Sequence, residues 1–241
     1  MSEWKAKRFW KNAEVVPAEG GYAVELDGRP IRTPAKRPLI LPTQAMAEAV
    51  AAEWQAQEEE IRPHTMPVTK TANAAIDKVA VQHAEVADLL AAYGDSDMLC
   101  YRAESPAALV ERESREWDPL LDWAEETLGV RLKTRTGVIH AAQDAGTLKL
   151  LSQRVHGLSD FELAAFHDLV SLSGSLVIGF AAAYGAFDAD RLWNVSRLDE
   201  IWQAEQWGQD DAAEALAESK KAAFVHAVRM FELANQSATG A

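Results

Sequence analysis

The segment Leu198–Gly208, LDEIWQAEQWG, holds three carboxylates and two tryptophans, and two of the carboxylates are candidates for a general acid–base pair. Its apolar residues recur at helical spacing, which predicts a helix. Successive helical residues lie about 100° apart, so Glu200 and Glu205 point about 140° apart and cannot both face one substrate. We therefore predict no acid–base pair in this segment.

The predicted helix carries a tryptophan on each of two faces. Trp202 shares one face with Leu198, whereas Trp207 shares the opposite face with Trp193 and Glu200. Tryptophan is enriched at binding hot spots, which favours a partner surface. A central helix of an all-α domain is also apolar on two sides, which favours a core position. From the residues alone, both interpretations stay open.

The adjacent pair His167–Asp168 is the candidate for metal chemistry, because helical metal-dependent phosphohydrolases use such a dyad. Two neighbouring residues on a helix point about 100° apart, so a metal would need further ligands from other helices. No two of the six histidines stand at the i, i+4 spacing that directs both imidazoles at one ion. We predict no metal site, and a helical metal-dependent hydrolase built around His167 and Asp168 is the alternative hypothesis.

Two further candidates have simpler structural explanations. Cys100 lies in the apolar stretch Met98–Tyr101, and such surroundings raise the pKa of a thiol and keep it inert. Asp95 and Asp97 offer two carboxylates to a cation, but their spacing is also typical of a helix end followed by a new cap. No glycine-rich phosphate loop is present, so we expect no cofactor.

The net charge of −13 is distributed unevenly along the chain. Residues 1–70 carry ten basic and ten acidic residues, so the whole acidic excess follows residue 70. Such a surface repels phosphate backbones and anionic lipid, which makes nucleic acid and membrane poor partners. The longest apolar run, 176–187, is shorter than the roughly 20 residues that cross a bilayer. One cysteine and no leader pattern at the start favour a cytoplasmic protein.

Strand patterns are concentrated at the start of the chain, and one further segment, around Val130–Ile139, alternates well enough to be a strand or an extended stretch. Gly21–Pro34 alternates apolar and polar residues around Asp27–Gly28, which predicts a hairpin. A helical period follows from Thr43, a predicted N-cap, to about Glu60. The proline-bounded stretch Arg62–Pro67 ends that helix, and we place the linker there.

Helical signals dominate the rest of the chain. Ser159–Glu162 has the spacing of a capping box, and Ser105–Pro106 predicts an N-cap followed by a proline at the first helical position. Apolar stripes predict buried helix faces, one of them through Leu216, Phe224, Ala227 and Phe231. The sequence therefore predicts an α+β protein: a small β-rich N-terminal domain with one helix at 1–62, followed by a larger all-helical domain at 63–241.

Nine short motifs follow one another in order along nearly the whole chain. They are RFWK (8–11), LDGRP (26–30), TP (33–34), EWxxQ (53–57), MPVT (66–69), AID (75–77), DMLCYR (97–102), WDPLLDW (117–123) and LDExxQxxxWG (198–208). Through them the sequence resembles the ATP synthase assembly factor twelve family, which chaperones the alpha subunit of the F-type ATPase.

The resemblance implies a chaperone without enzymatic activity. Members of the family bind the free alpha subunit, prevent its aggregation and release it as alpha pairs with beta. We accordingly expect a monomer whose partner is the alpha subunit, with no bound metal or nucleotide. The expected contacts are Glu200, Trp202, Gln203, Trp207 and Gly208, together with the region of Trp54. Trp54 also lies on the apolar stripe of its own helix, which favours a core position.

Overall fold

The computed structural model of the protein describes residues 7–236. Its first element is an antiparallel sheet in the order β1 (Ala13–Ala18), β2 (Gly21–Leu26) and β3 (Arg29–Pro30). The predicted hairpin is confirmed, because β2 and β3 are joined by Asp27 and Gly28 with φ angles of 48° and 78°. The Asp27 carboxylate fixes this turn by accepting hydrogen bonds from the backbone N–H groups of Lys11 and Asn12.

Helix α1 (Gln44–Gln55) packs against β1 and β2. The side chain of Thr43 accepts a hydrogen bond from the backbone N–H of Met46, which confirms the predicted N-cap. The helix ends at Gln55 and not near residue 60 as predicted. The carbonyls at a helix C-terminus lack intrahelical donors, and the Arg8 guanidinium donates to the carbonyl of Gln55 at 3.1 Å. It also donates to the carbonyl of Gln57, just beyond the helix, at 2.5 Å.

Further helices make up most of the remaining chain, which confirms the predicted fold class. They are α2 (Pro67–Asp77), α3 (His83–Ala91), α4 (Ala107–Leu128), α5 (Ala145–His156), α6 (Asp160–Ser173), α7 (Leu176–Ala183), α8 (Ala189–Ser196), α9 (Leu198–Trp207) and α10 (Asp211–Asn235). Two-residue strands β4 (Tyr101–Arg102) and β5 (Arg135–Thr136) pair in parallel, so only a short part of the extended stretch predicted at 130–139 is a strand.

The chain forms two compact units whose segments are not contiguous. One holds the described residues up to His83, the segment Ser159–Ala165 and the described residues from Arg229 onwards. The other holds Ala84–Leu158 and Phe166–Val228. These segments differ from the domains predicted at 1–62 and 63–241, which stay a prediction.

Helix ends follow the predicted caps with one exception. Ser159 and Glu162 exchange hydrogen bonds, with the Ser159 N–H donating to Oε2 of Glu162 at 2.7 Å, so the capping box is confirmed. The prediction for Ser105–Pro106 was wrong, because Pro106 itself occupies the N-cap of α4 and no side chain caps that helix. The stripe predicted on α10 is buried at Phe224, whereas Leu216 is 57% exposed.

The first eight residues of the apolar run at 176–187 form the buried helix α7, whereas Tyr184, just after it, is 47% exposed. The glycine of this helix, Gly179, lets neighbouring side chains approach closely, since a Cβ there would lie 2.6 Å from Cγ2 of Val170. The buried carboxyl of Asp97 accepts hydrogen bonds from the backbone N–H groups of Val177 and Leu99. Across residues 7–236, no helix is long and apolar enough to cross a membrane.

Candidate functional site

The segment predicted as one continuous helix folds as two helices that meet at Arg197. The φ and ψ angles of Arg197, −114° and 21°, end α8 and begin α9. This break changes the phase of the residues that follow, so the prediction was wrong in placing Trp193 on the same face as Glu200 and Trp207. Trp193 is buried in α8 at 3% exposure, whereas Glu200 and Trp207 are exposed on α9.

Helix α9 has one packed side and one open side. It packs against α4 and α8, with Leu198 buried and Trp202 half-buried on the packed side. The exposed residues of the predicted contact set are Glu200, Gln203, Trp207 and Gly208. Four of the six predicted contact residues therefore lie on α9 and Gly208 is its C-cap; of these five residues, four are exposed.

The C-terminal end of α9 presents the most exposed tryptophan among the described residues. Trp207 is 80% exposed and is followed by Gly208, whose φ of +96° ends the helix. Because an L-residue side chain is strained at this φ, glycine suits the position although a Cβ would meet no atom within 4 Å. An exposed tryptophan keeps its large apolar surface available to a partner.

Polar side chains of α9 and α4 meet at both ends of α9: an ion pair near its end and two carboxyl groups near its beginning. Near its end, Nη1 of Arg112 donates to Oε2 of Glu205 at 2.6 Å. Near its beginning, Asp199 interacts with Glu113, which is only 1% exposed and accepts a hydrogen bond from the Ala103 N–H at 2.9 Å. Burial raises the pKa of the Glu113 carboxyl and that of Asp199, and the charge of Glu200 raises the pKa of Asp199 further.

The open side of α9 is linked to the core through Arg197. Its guanidinium lies 5.7 Å from the ring centroid of the buried Trp193 and donates to Oε2 of Glu200 at 2.5 Å. Glu200 is therefore an exposed carboxylate whose position depends on one neighbouring arginine. The pair is exposed enough that it contributes about 0–1 kcal/mol to stability.

Comparisons with known proteins identify the family. A family model described as ATP12 chaperone protein matches residues 7–125. The structure of Atp12 from Paracoccus denitrificans is 49% identical, covers 97% of this chain and 100% of its own, and superposes with a TM-score of 0.94; a mutant form gives 0.95. The chain belongs to the ATP12 family of chaperones. It is an ATP synthase assembly chaperone, which confirms the resemblance inferred from its motifs.

More distant ATP12 relatives extend the likeness. The Atu1473 protein of Agrobacterium tumefaciens is 38% identical, covers 94% of this chain and 85% of its own, and has a TM-score of 0.88. Protein atp12, mitochondrial, of Schizosaccharomyces pombe is 28% identical in an alignment of 221 positions that covers 86% of this chain and 76% of the yeast protein. Both matches extend well beyond residue 125 of this ATP12 chain.

The sixth predicted contact, Trp54, lies in the other compact unit of this ATP12 protein. It is half-buried on α1, with its ring 5.3 Å from that of Trp10 in an edge-to-face arrangement. Its indole N–H is buried and has no hydrogen-bond partner among the described residues. The packing supports a structural role for Trp54, and its role as a partner contact stays a prediction.

The alternative hydrolase site lacks further ligands in the described part of the chain. Nδ1 of His167 lies 2.9 Å from Oδ1 of Asp168, and this hydrogen bond raises the pKa of His167. Within residues 7–236, no group of three or more His, Cys, Asp or Glu side chains is arranged to hold a metal ion. The dyad is thus a partly exposed surface pair.

Cys100 and the two neighbouring aspartates have structural roles, as predicted. Cys100 is 1% exposed, and burial raises the pKa of its thiol to about 12, which keeps it unreactive. Asp97 caps two helical segments, and burial raises its pKa to about 6. Asp95 accepts a hydrogen bond from the Gln143 N–H at 2.7 Å and pairs with His140.

The residues that reasoning from sequence missed are the α4 partners of α9. Arg112 and Glu205 are 93 positions apart, and no local sequence pattern predicts their pairing. The sequence does not predict the burial of Glu113 either, because its neighbours in the sequence are polar. Exposure of Trp207 had one available signal, the glycine that follows it and ends the helix.

Proposed function

We propose that this ATP12 chaperone binds the free alpha subunit of the F-type ATP synthase, prevents its aggregation and promotes its assembly with beta. The observation that carries the proposal is the likeness to Atp12 of P. denitrificans, 49% identity over 97% of this chain. The motif resemblance supplies the identity of the client.

The proposed contact surface is the open side of α9, formed by Glu200, Gln203, Trp207 and Gly208, with Trp202 at its inner edge. Its support is physical: an exposed tryptophan lies beside exposed polar side chains. Protein interfaces combine an apolar centre with a polar rim, and a few aromatic residues supply most of the affinity.

The proposed mechanism is competition with beta. An unpaired alpha subunit exposes an interface that beta covers in the assembled enzyme, and such a surface is prone to aggregate. The chaperone occupies part of that surface, with an affinity low enough for beta to displace it. We also propose that this protein is monomeric and cytoplasmic and that it has no cofactor and no catalytic residues.

A direct test measures aggregation and complex formation with purified alpha. We expect this protein to suppress light scattering by free alpha and to co-purify with alpha in the absence of beta from a native lysate. Addition of beta should release it. Failure to suppress aggregation, or equal affinity for free alpha and for an alpha–beta assembly, would exclude the proposal.

A charge reversal tests the surface. Glu200→Lys is expected to weaken alpha binding at least about tenfold, while the melting temperature changes by less than about 4 °C, since only an exposed ion pair is lost. The control is Glu126→Lys on α4, which makes the same charge change at an exposed carboxylate. A large fall in melting temperature for Glu200→Lys would assign that residue a structural role instead.

A further inference from the structure

The region around the α9–α10 turn carries charge of one sign. Residues 198–219 include seven carboxylates and no lysine, arginine or histidine. Three of the seven have partners described above: Glu200 with Arg197, Glu205 with Arg112, and Asp199 with Glu113. The other four, Asp210, Asp211, Glu214 and Glu218, are exposed and form no ion pair within the described chain.

Helix formation explains part of this acidity. Asp210 accepts hydrogen bonds from the N–H groups of Ala212 and Ala213, so it serves as the N-terminal cap of α10. Asp211 and Glu214 lie in the first turn, where the helix dipole favours negative charge. Glu218 lies beyond that turn; the Lys221 ammonium, one turn later, forms its ion pair with Asp190, which raises the pKa of Lys221, and the charge of Glu218 raises that pKa further.

Chain geometry places the first of these carboxylates near Trp207. At 100° per residue, Asp211, Glu214 and Glu218 fall within about 60° of one another on α10 and form one acidic stripe. The Cα atoms of Trp207 and Asp211 are four residues apart in the chain and so no more than about 14 Å apart in space. The exposed indole therefore lies near the N-terminal end of the acidic stripe, and we call Trp207 and the stripe together the acidic corner.

Other tryptophans of this protein show which group such a surface accepts. Trp10, Trp117 and Trp193 each have an arginine guanidinium over the ring, at 5.5, 5.2 and 5.7 Å from the ring centroid. Trp207 has no such cation among the described residues, although it is 80% exposed. A guanidinium stacks on an indole face and pairs with carboxylates at the same time, which a neutral side chain cannot do.

We propose that the acidic corner, formed by Trp207, Asp211, Glu214 and Glu218, is the docking site for an arginine-bearing segment of the client. An arginine of the partner stacks on Trp207 and is paired by the stripe of α10, and charge complementarity selects this segment over neutral or acidic ones. The identification of the client as free alpha rests on the proposed function, whereas the preference for arginine does not.

The first arm of the test needs no alpha subunit. A twelve-residue peptide with four arginines is titrated into the full chain while the indole N–H signal of Trp207 is followed by NMR, beside the same peptide with glutamines. We expect saturable shifts with the arginine peptide alone. The shifts should disappear in the triple variant Asp211→Asn, Glu214→Gln, Glu218→Gln. An unshifted Trp207 signal, or equal shifts in the triple variant, would overturn the proposal.

The second arm measures affinity for free alpha as a function of salt. The triple variant is expected to bind about tenfold more weakly at low ionic strength and with a flatter salt dependence. The matched control neutralises three exposed carboxylates elsewhere, Glu85→Gln, Glu111→Gln and Glu126→Gln, and should bind as the unmodified protein does.

The two arms separate this inference from the proposed function. If the unmodified protein binds alpha and the triple variant binds it equally well, the acidic corner is excluded while the proposed function stands. If the unmodified protein does not bind alpha, the proposed function fails, and the arginine peptide still decides whether the corner takes an arginine.

Discussion

Helices α7 and α9 have similar lengths, 8 and 10 residues, but are held in opposite ways. Every side chain of α7 from Leu176 to Ala182 is buried, so apolar packing determines its position. Only Leu198 is fully buried on α9, which meets α4 through the Arg112–Glu205 ion pair and through a contact between the carboxyl groups of Glu113 and Asp199. A helix attached mainly by polar contacts leaves its other side free for a partner, whereas α7 has no free side.

The largest expected effect comes from emptying the core beside α7. Phe180 is fully buried with its ring 4.7 Å from that of Phe166, so Phe180→Ala should lower the free energy of unfolding by about 3–5 kcal/mol. Urea denaturation measures this change. A loss below about 1 kcal/mol would contradict the description of α7 as the packed helix.

Overfilling the same helix should have the next largest effect. Gly179→Ala places a Cβ 2.6 Å from Cγ2 of Val170 and is expected to cost about 1–3 kcal/mol of unfolding free energy. The control is Gly157→Ala, where the nearest atom would be 3.4 Å away and φ is −79°. That control should be neutral or slightly stabilising in thermal denaturation, and equal losses at both glycines would argue against close packing at α7.

The polar attachment of α9 predicts a pH-dependent gain in stability. Because burial raises the pKa of Glu113 in the folded protein, its ionisation destabilises the fold as pH rises through that value. Glu113→Gln should therefore increase the free energy of unfolding by about 1 kcal/mol at neutral pH. The gain should shrink towards zero as pH falls below about 4.3, the unfolded pKa of Glu.

Unfolding curves of Glu113→Gln and of the unmodified protein at several pH values give the difference between their free energies of unfolding. Comparison with the unmodified protein removes the contributions of Asp97 and His167, whose pKa values are also shifted. A difference that does not vary with pH would show that the pKa of Glu113 is the same in the folded and the unfolded protein.

The smallest effect on stability is expected at Trp207. Trp207→Ala should change the free energy of unfolding by less than about 0.5 kcal/mol, because the side chain is 80% exposed. The affinity of the Trp207→Ala variant for alpha should nevertheless fall at least about tenfold. Trp117→Ala is the contrasting variant: it removes a ring that is 1% exposed and donates to the Val195 carbonyl, so stability should fall by about 3–5 kcal/mol. Comparable stability losses for the two tryptophans would remove the distinction between core and contact.

Prediction from sequence succeeded where the cause is local. The hairpin at Asp27–Gly28 needs two residues that tolerate positive φ, and the caps at Thr43 and Ser159 need one side chain within reach of the next turn. Each of these depends on fewer than about five consecutive residues. Ser105–Pro106 shows the limit of such local patterns. The sequence predicts Pro106 at the first helical position, but in the structure Pro106 lies one position earlier, at the N-cap.

Prediction failed where the phase of a helix depends on distant neighbours. A continuous helix through residue 197 would align Trp193 with Trp207, but α8 ends at Arg197, whose side chain instead spans Trp193 and Glu200. Leu216 lies on a regular apolar stripe of α10 and is still 57% exposed, because periodicity gives the face of a helix and not the extent of what covers it.

The sequence by itself determined the α+β class, the family and the capped helix ends, because these follow from local patterns and from motifs read in order along the chain. Only the tertiary structure decided that Trp193 is core while Trp207 is open, and that Glu113 is buried against α9. The physical reason is that burial is a property of the assembled fold. It depends on side chains such as Arg112 and Glu205, which lie far apart in the chain and meet only when the helices pack.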